Sequence, residues 1–183
     1  MPKDKSKIFL ICTIMIISGC FLGYRSWIDR EQNTKEIKIL AEMGSSPNEA
    51  FALLPNEVKE KIKVPTIFPF EESKTKSVAQ TKTFGKSGYS YEQYWGNGGK
   101  QFFFNVLNIT PKADESYKKD PNYTSKKVKI YKGIDATYIT GPRSEKLFWN
   151  ENGFQYMIGS NSMNGKVDFY GPNKLVDIAV SMK

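Results

Sequence analysis

Tyr89-Ser90-Tyr91-Glu92-Gln93-Tyr94-Trp95, then Gly96-Asn97-Gly98-Gly99, then Gln101-Phe102-Phe103-Phe104-Asn105-Val106-Leu107-Asn108-Ile109 is the stretch whose reading decides the fold. Two runs rich in aromatic and β-branched residues flank a glycine-rich turn containing Asn-Gly, which is the pattern of a β-hairpin. Period-two alternation sends Tyr89, Tyr91 and Gln93 to one face, and Ser90, Glu92 and Tyr94 to the other. Phe102, Phe103 and Phe104 are consecutive, so at least one of them must point away from the main core.

Working outward, residues 78–84 form a further strand upstream, separated from the hairpin by Gly85-Lys86-Ser87-Gly88. Downstream, residues 110–125 are polar with two prolines and read as a long loop. Residues 126–131, 135–140, 146–150 and 154–160 then read as four more short strands, punctuated by Gly133, Gly141-Pro142 and Asn152-Gly153. Residues 172–182 switch to helical spacing, with Leu175, Ile178, Ala179 and Met182 on one stripe. The expected fold is α+β: a curved antiparallel sheet of about six or seven strands covered by the C-terminal helix.

Ahead of the sheet, Ser46-Pro47-Asn48-Glu49 is a capping box with proline at the first helical position, so a short helix through Leu54 is expected. Residues 56–63 can continue helically, with Val58 and Ile62 on one face. Pro65 and Pro69 make residues 64–70 extended, the lead-in to the main domain. Ile37, Leu40 and Ala41 give residues 25–43 a short apolar stripe, fitting either a stalk or a helix packed on the domain.

The N-terminus carries its own signal. Lys3, Lys5 and Lys7 precede an uncharged run over residues 8–24, closed by Arg25, which is the pattern of a segment that stays at the membrane while the rest is exported. Ile17-Ser18-Gly19-Cys20 reads as a lipobox, with Cys20 as the site of lipid attachment. The alternative is a retained spanning helix with Trp27 at the outer interface, favoured by Phe21-Leu22. Both place the chain on the outer face of a cell membrane. The expected division is 1–24 as anchor, 25–63 as helical stalk or N-terminal helices, and 64–183 as the extracytoplasmic domain.

Lys129-Ile130-Tyr131-Lys132-Gly133, the stretch from Leu147-Phe148-Trp149 through Asn152-Gly153-Phe154 to Ile158, and Leu175-Val176-Asp177-Ile178-Ala179-Val180-Ser181-Met182 follow one another in a familiar order. Over residues 64–183 the chain resembles an uncharacterised domain family of Gram-positive bacteria. The resemblance implies an extracytoplasmic domain behind a signal or spanning segment, and it implies no catalytic residues. The chain departs from the family pattern in the longer connection over residues 161–171.

Composition narrows the chemistry. There is no histidine, and the two cysteines, Cys12 and Cys20, both lie in the N-terminal apolar run. The exported part is therefore without imidazole base, thiol nucleophile or internal disulfide. No cofactor, metal or catalytic residue is expected: the acidic pairs lack the spacing of a calcium loop, and Gly96-Asn97-Gly98-Gly99 lacks the continuation of a phosphate loop. The formal net charge of +8 is spread over single and paired lysines, which fits a solvated face or an anionic envelope polymer better than nucleic acid. The expected partners are membrane lipid through the anchor and an envelope protein or wall polymer. The expected function is a tethered, non-catalytic binding or sensing module. Tyr89, Tyr91, Trp95 and Phe103 are the candidate ligand contacts, because an aromatic face can stack on sugars or hold a lipid-like ligand. An amphiphile carrier and a wall-polymer hydrolase using a carboxylate pair are the alternatives.

Overall fold

The computed structural model describes residues 44–71, 75–85, 87–97, 100–108, 120–162 and 169–182. The anchor reading, including Cys20, and the stripe at 37–41 lie outside the described residues. Among the described residues no helix is long and apolar enough to cross a membrane.

Among the described residues two short helices come first, α1 (Pro47–Ala52) and α2 (Asn56–Lys59). Seven strands follow: β1 (Lys76–Phe84), β2 (Gly88–Asn97), β3 (Lys100–Leu107), β4 (Thr124–Lys129), β5 (Asp135–Thr140), β6 (Ser144–Glu151) and β7 (Phe154–Ser162). Helix α3 (Gly171–Val180) closes the chain. All seven strands form one antiparallel sheet in the order β1-β2-β3-β7-β6-β5-β4. The topology is two meanders, β1–β3 and β4–β7, joined along a β3–β7 seam in mid-sheet.

The hairpin reading of 89–109 holds, with β2 and β3 paired Trp95 to Phe102 and Tyr91 to Val106. Asn152 and Gly153 both take positive φ, 53° and 81°, in the two-residue turn between β6 and β7. That conformation matches the twist of the flanking strands and suits Asn-Gly. The helical reading of residues 56–63 holds in part: regular α2 ends at Lys59, and helix-type bonds continue through the following turn as far as the Ile62 amide, which donates to the Val58 carbonyl at 3.1 Å.

One sheet face carries the core. Tyr91, Trp95, Phe102, Phe104, Val106, Leu147, Trp149, Tyr156 and Ile158 all point to it and are buried. Three segments cover it. Helix α1 packs on β1 and β2, and α3 packs on β6 and β7 with Leu175, Ile178 and Ala179 fully buried. Between them runs a strap, residues 62–70, held at α3 by Thr66 Oγ1 donating to the Ser181 carbonyl at 2.7 Å and by the Ile67 amide donating to Ser181 Oγ at 3.2 Å. Ala50, Leu54, Val58 and Ile62 join the same core. The described part of 25–63 therefore packs on the sheet as helices rather than standing off as a stalk.

The second face is mixed, with Glu92, Asn105 and Lys146 among Tyr94, Phe103, Phe148, Met157 and the buried Ile139. Phe103 lies here, on the opposite side from Phe102 and Phe104, with its ring over Gly159 of the neighbouring strand. A ring laid over a strand glycine shields backbone that has no side chain of its own. This is how Phe103 reaches 6% exposure without belonging to the core cluster.

The two sheet edges are protected differently. On β4, Lys126, Lys127 and Lys129 are exposed, and such charges discourage edge-to-edge pairing. On β1, Ser45 exchanges two 2.9 Å backbone bonds with Ala79. Gly44 permits that approach, because a Cβ there would overlap the Ala79 carbonyl oxygen. Gly44→Ala is expected to break the bridge, and loss of hydrogen-exchange protection at the Ala79 amide is the measurement that checks it.

Candidate functional site

Among the described residues, a concavity lies where α1, the strap and the β1–β2 edge meet. It is a pocket of about 720 Å³ walled by Phe51 of α1, Val64 and Phe68 of the strap, and Tyr91, Gln93 and Trp95 of β2, with Ser77, Thr66 and Lys59 at its margins. Its volume falls in the usual range for small-molecule sites. Alternation along β2 explains the wall: residues 91, 93 and 95 stand on one face, two apart.

Trp95 sits among rings, with centroids 4.9 Å from Phe68, 5.5 Å from Phe102 and 6.2 Å from Phe70. Phe51 meets Tyr91 edge-on at 5.5 Å. The Tyr91 hydroxyl donates to Gln93 Oε1 at 2.9 Å, and burial pushes its pKa up to about 12, so it stays a neutral donor. The Trp95 indole nitrogen is buried with no acceptor within reach, although the residue is only 1% exposed. A buried donor left in that state costs the fold free energy.

Of the four sequence-derived contact residues, Tyr91 and Trp95 line this pocket, while Tyr89 packs against the core beside it. Phe103 is on the other face of the sheet, committed to Gly159, because strict alternation separates it from Trp95's partner Phe102. Phe51, Phe68 and Gln93 were not among the sequence candidates. The first two belong to segments distant in the chain: α1 carries Phe51 over β2 and the strap carries Phe68. The interface beneath α3, by contrast, is filled by Leu175, Ile178 and Ala179.

Outside the pocket, polar clusters tie the covering segments to the sheet. Glu145 is fully buried and accepts four hydrogen bonds: Tyr138 OH at 3.0 Å, Ser160 Oγ at 2.8 Å, and the Tyr170 and Gly171 amides at 2.7 and 2.9 Å. Those amides open α3, so the carboxylate meets the positive end of the helix dipole. Burial, then the Glu145 charge, drive the Tyr138 pKa upward. With its oxygens saturated, Glu145 works as a latch between sheet and helix. The sequence signal was a lone acidic residue in phase with the inward Leu147 and Trp149 of β6.

The second cluster ties down the strap. Lys63 Nζ donates to Glu151 Oε1 and to Tyr131 OH, both at 2.6 Å, and Tyr131 OH donates to Glu151 Oε2. The Lys63 ammonium also lies 4.9 Å from the Tyr131 ring centre. Burial alone would raise the Glu151 pKa, but the Lys63 and Tyr131 bonds outweigh it and leave it lowered. The Glu151 and Tyr131 bonds raise Lys63, and burial first, then Glu151, raises Tyr131. All three shifts lead away from neutrality, which suits an ion pair better than a proton-transfer group.

The signs predict a pH profile. Glu151, lowered, contributes stability above its ordinary value of 4.5 that is lost as pH falls through its folded value. Lys63, raised, contributes stability below 10.5 that is lost as pH rises through its folded value. Lys63→Met is therefore expected to cost about 2 kcal/mol near neutral pH. Denaturant titrations of wild type and variant should show that difference flat from about pH 6 to 9 and shrinking at both extremes.

Among the described residues no three His, Cys, Asp or Glu side chains cluster to hold a metal ion. No protein-family model, curated protein or solved structure matches the chain.

Proposed function

We propose that this chain is a non-catalytic binding or sensing module, tethered to the outer face of a bacterial cytoplasmic membrane, with the pocket against Trp95 as its ligand site. The observation that carries the binding reading is the aromatic pocket itself, walled by Phe51, Phe68, Tyr91 and Trp95. The tether rests on the sequence: the lysine-flanked apolar run over residues 8–24 and the Ile17-Ser18-Gly19-Cys20 pattern. The resemblance of residues 64–183 to an extracytoplasmic family supports the same location. The absence of histidine and of any cysteine beyond Cys20 supports a role without covalent or acid–base chemistry.

Two measurements test this. Fractionation of cells, with the mass of the mature N-terminus read with and without Cys20→Ala, tests the tether. A diacyl adduct on Cys20 or an intact Met1 terminus in the membrane supports it, and a chain free in the cytoplasm overturns it. The pocket is tested by titrating the full chain with the apolar fluorophore 1-anilinonaphthalene-8-sulfonate. Ala52 is an exposed pocket residue, so Ala52→Phe fills the space without disturbing the core. Saturable binding abolished by Ala52→Phe supports the site, and binding that survives the substitution places it elsewhere.

A further inference from the structure

We infer that the free edge of β4 is a docking site for an extended acidic peptide, which joins the sheet as a further strand. This surface lies apart from the pocket, and the inference stands whether or not the pocket takes a ligand.

The phase of the backbone shows what the edge presents. Just past β5, the Gly141 amide donates to the Ser144 carbonyl at 2.8 Å, on the β6 side. Backbone groups alternate sides along a strand, so Ala136, Tyr138 and Thr140 turn toward β4. Their register partners are Val128, Lys126 and Thr124. The Ile130 amide, in the same phase, donates to the Ile134 carbonyl at 3.0 Å. Ser125, Lys127 and Lys129 therefore direct their amides and carbonyls outward, and among the described residues no backbone group pairs with them.

The opposite edge is treated differently, since Ser45 already occupies the outward groups of Ala79. Strand β4 pairs with β5 over all 6 of its residues without a bulge and contains no proline. Every side chain on it is exposed except the half-buried Val128. Of the devices that commonly guard a sheet edge, it keeps charge alone.

Charge decides what can pair there. Lys126 has no ion-pair partner among the described residues, and Lys127 Nζ donates to the Thr137 hydroxyl at 2.9 Å. Lys129 meets Asp135 at 2.5 Å, but both side chains are well exposed, and such a pair contributes little. A second copy of β4 would set lysine against lysine, which is destabilising. A phosphate polymer offers acceptors to the outward amides and nothing to the outward carbonyls. A peptide backbone serves both, and carboxylates opposite Lys126, Lys127 and Lys129 complete the match. The position opposite Val128 takes an apolar side chain.

The test titrates the full chain, in phosphatidylcholine nanodiscs, with the fluorescein-labelled peptide Glu-Val-Glu-Glu-Thr-Thr, written to run antiparallel to β4. One control replaces each glutamate by lysine. The other is the acidic peptide N-methylated at its first, third and fifth residues, those facing Lys129, Lys127 and Ser125. Anisotropy reads affinity, and hydrogen exchange reads the β4 amides. The acidic peptide is expected to bind roughly tenfold tighter than either control, and it alone should slow exchange at Ser125, Lys127 and Lys129. Lys127→Pro removes one outward amide without touching a β4–β5 bond. It should weaken the acidic peptide by roughly tenfold while circular dichroism stays unchanged. Reversing the charges with Lys126→Glu, Lys127→Glu and Lys129→Glu should transfer the preference to the lysine peptide. Equal binding of the acidic peptide and its N-methylated form would reduce the attraction to charge and overturn the added strand. Equal binding of the acidic and lysine peptides, or binding of neither, overturns the acidic partner.

Discussion

Glu145→Ala is expected to cost about 3–5 kcal/mol of folding stability, the range for removing one partner from a buried charged network. The mutation strips the acceptor from four donors at once: two hydroxyls, on Tyr138 and Ser160, and two amides at the start of α3. The two hydroxyls have no water to turn to, because Tyr138 and Ser160 are buried. Glu145→Gln should recover only part of the loss, since its amide would present hydrogens to groups that already donate. Chemical denaturation followed by circular dichroism measures the cost. Tyr138→Phe is the control, expected to lose about 1 kcal/mol by removing a single bond. A Glu145→Ala chain as stable as wild type would show that the latch contributes nothing.

Gly159→Ala should be nearly as damaging, for a steric reason. A Cβ at position 159 would overlap the Glu145 carbonyl oxygen and lie 2.7 Å from the Phe103 ring. The ring could swing away, but the carbonyl belongs to the neighbouring strand and cannot move without breaking the β6–β7 ladder, where Gly159 pairs with Lys146. Overpacking of this kind costs about 1–3 kcal/mol, at the upper end where backbone must shift. The double variant Gly159→Ala with Phe103→Ala separates the two clashes. If the carbonyl dominates, melting temperature falls as far in the double variant as the separate effects predict. If the ring dominates, removing Phe103 restores most of the loss.

The elements were readable from the chain because each satisfies a local rule. The Ser46 capping box, the stripe Leu175–Ile178–Ala179–Met182 and the Asn152-Gly153 turn are short-range patterns with one physical solution, and all three stand in the structure. Strand order was a different matter. Nothing local in β3 says that its second neighbour is β7, because that choice depends on how two meanders match their faces. The site was half legible for the same reason. Tyr91 and Trp95 share a strand, so alternation puts them side by side. Phe51 reaches the pocket on α1 and Lys59 on α2, whereas Phe68 reaches it through the path of the strap, which is set by Lys63 meeting Glu151 and Thr66 meeting Ser181, contacts between distant parts of the chain. Glu145 was visible as an anomaly, an acidic residue at an inward position, but its partners were not.

The β3–β7 seam has a consequence for how quickly the chain reaches this structure. Each meander is stitched from strands adjacent in sequence, and hairpins of that kind form in microseconds. The seam instead pairs residues about fifty positions apart, Phe104 with Ile158 and Val106 with Tyr156, so its closure carries the largest entropy toll in the sheet. Zippering of the two halves is therefore the slow step of refolding. Substitutions that weaken the seam should lower the refolding rate. Until the halves meet, each presents an uncovered flank of β-structure, and a newly made chain would be most prone to pair with its neighbours during that interval.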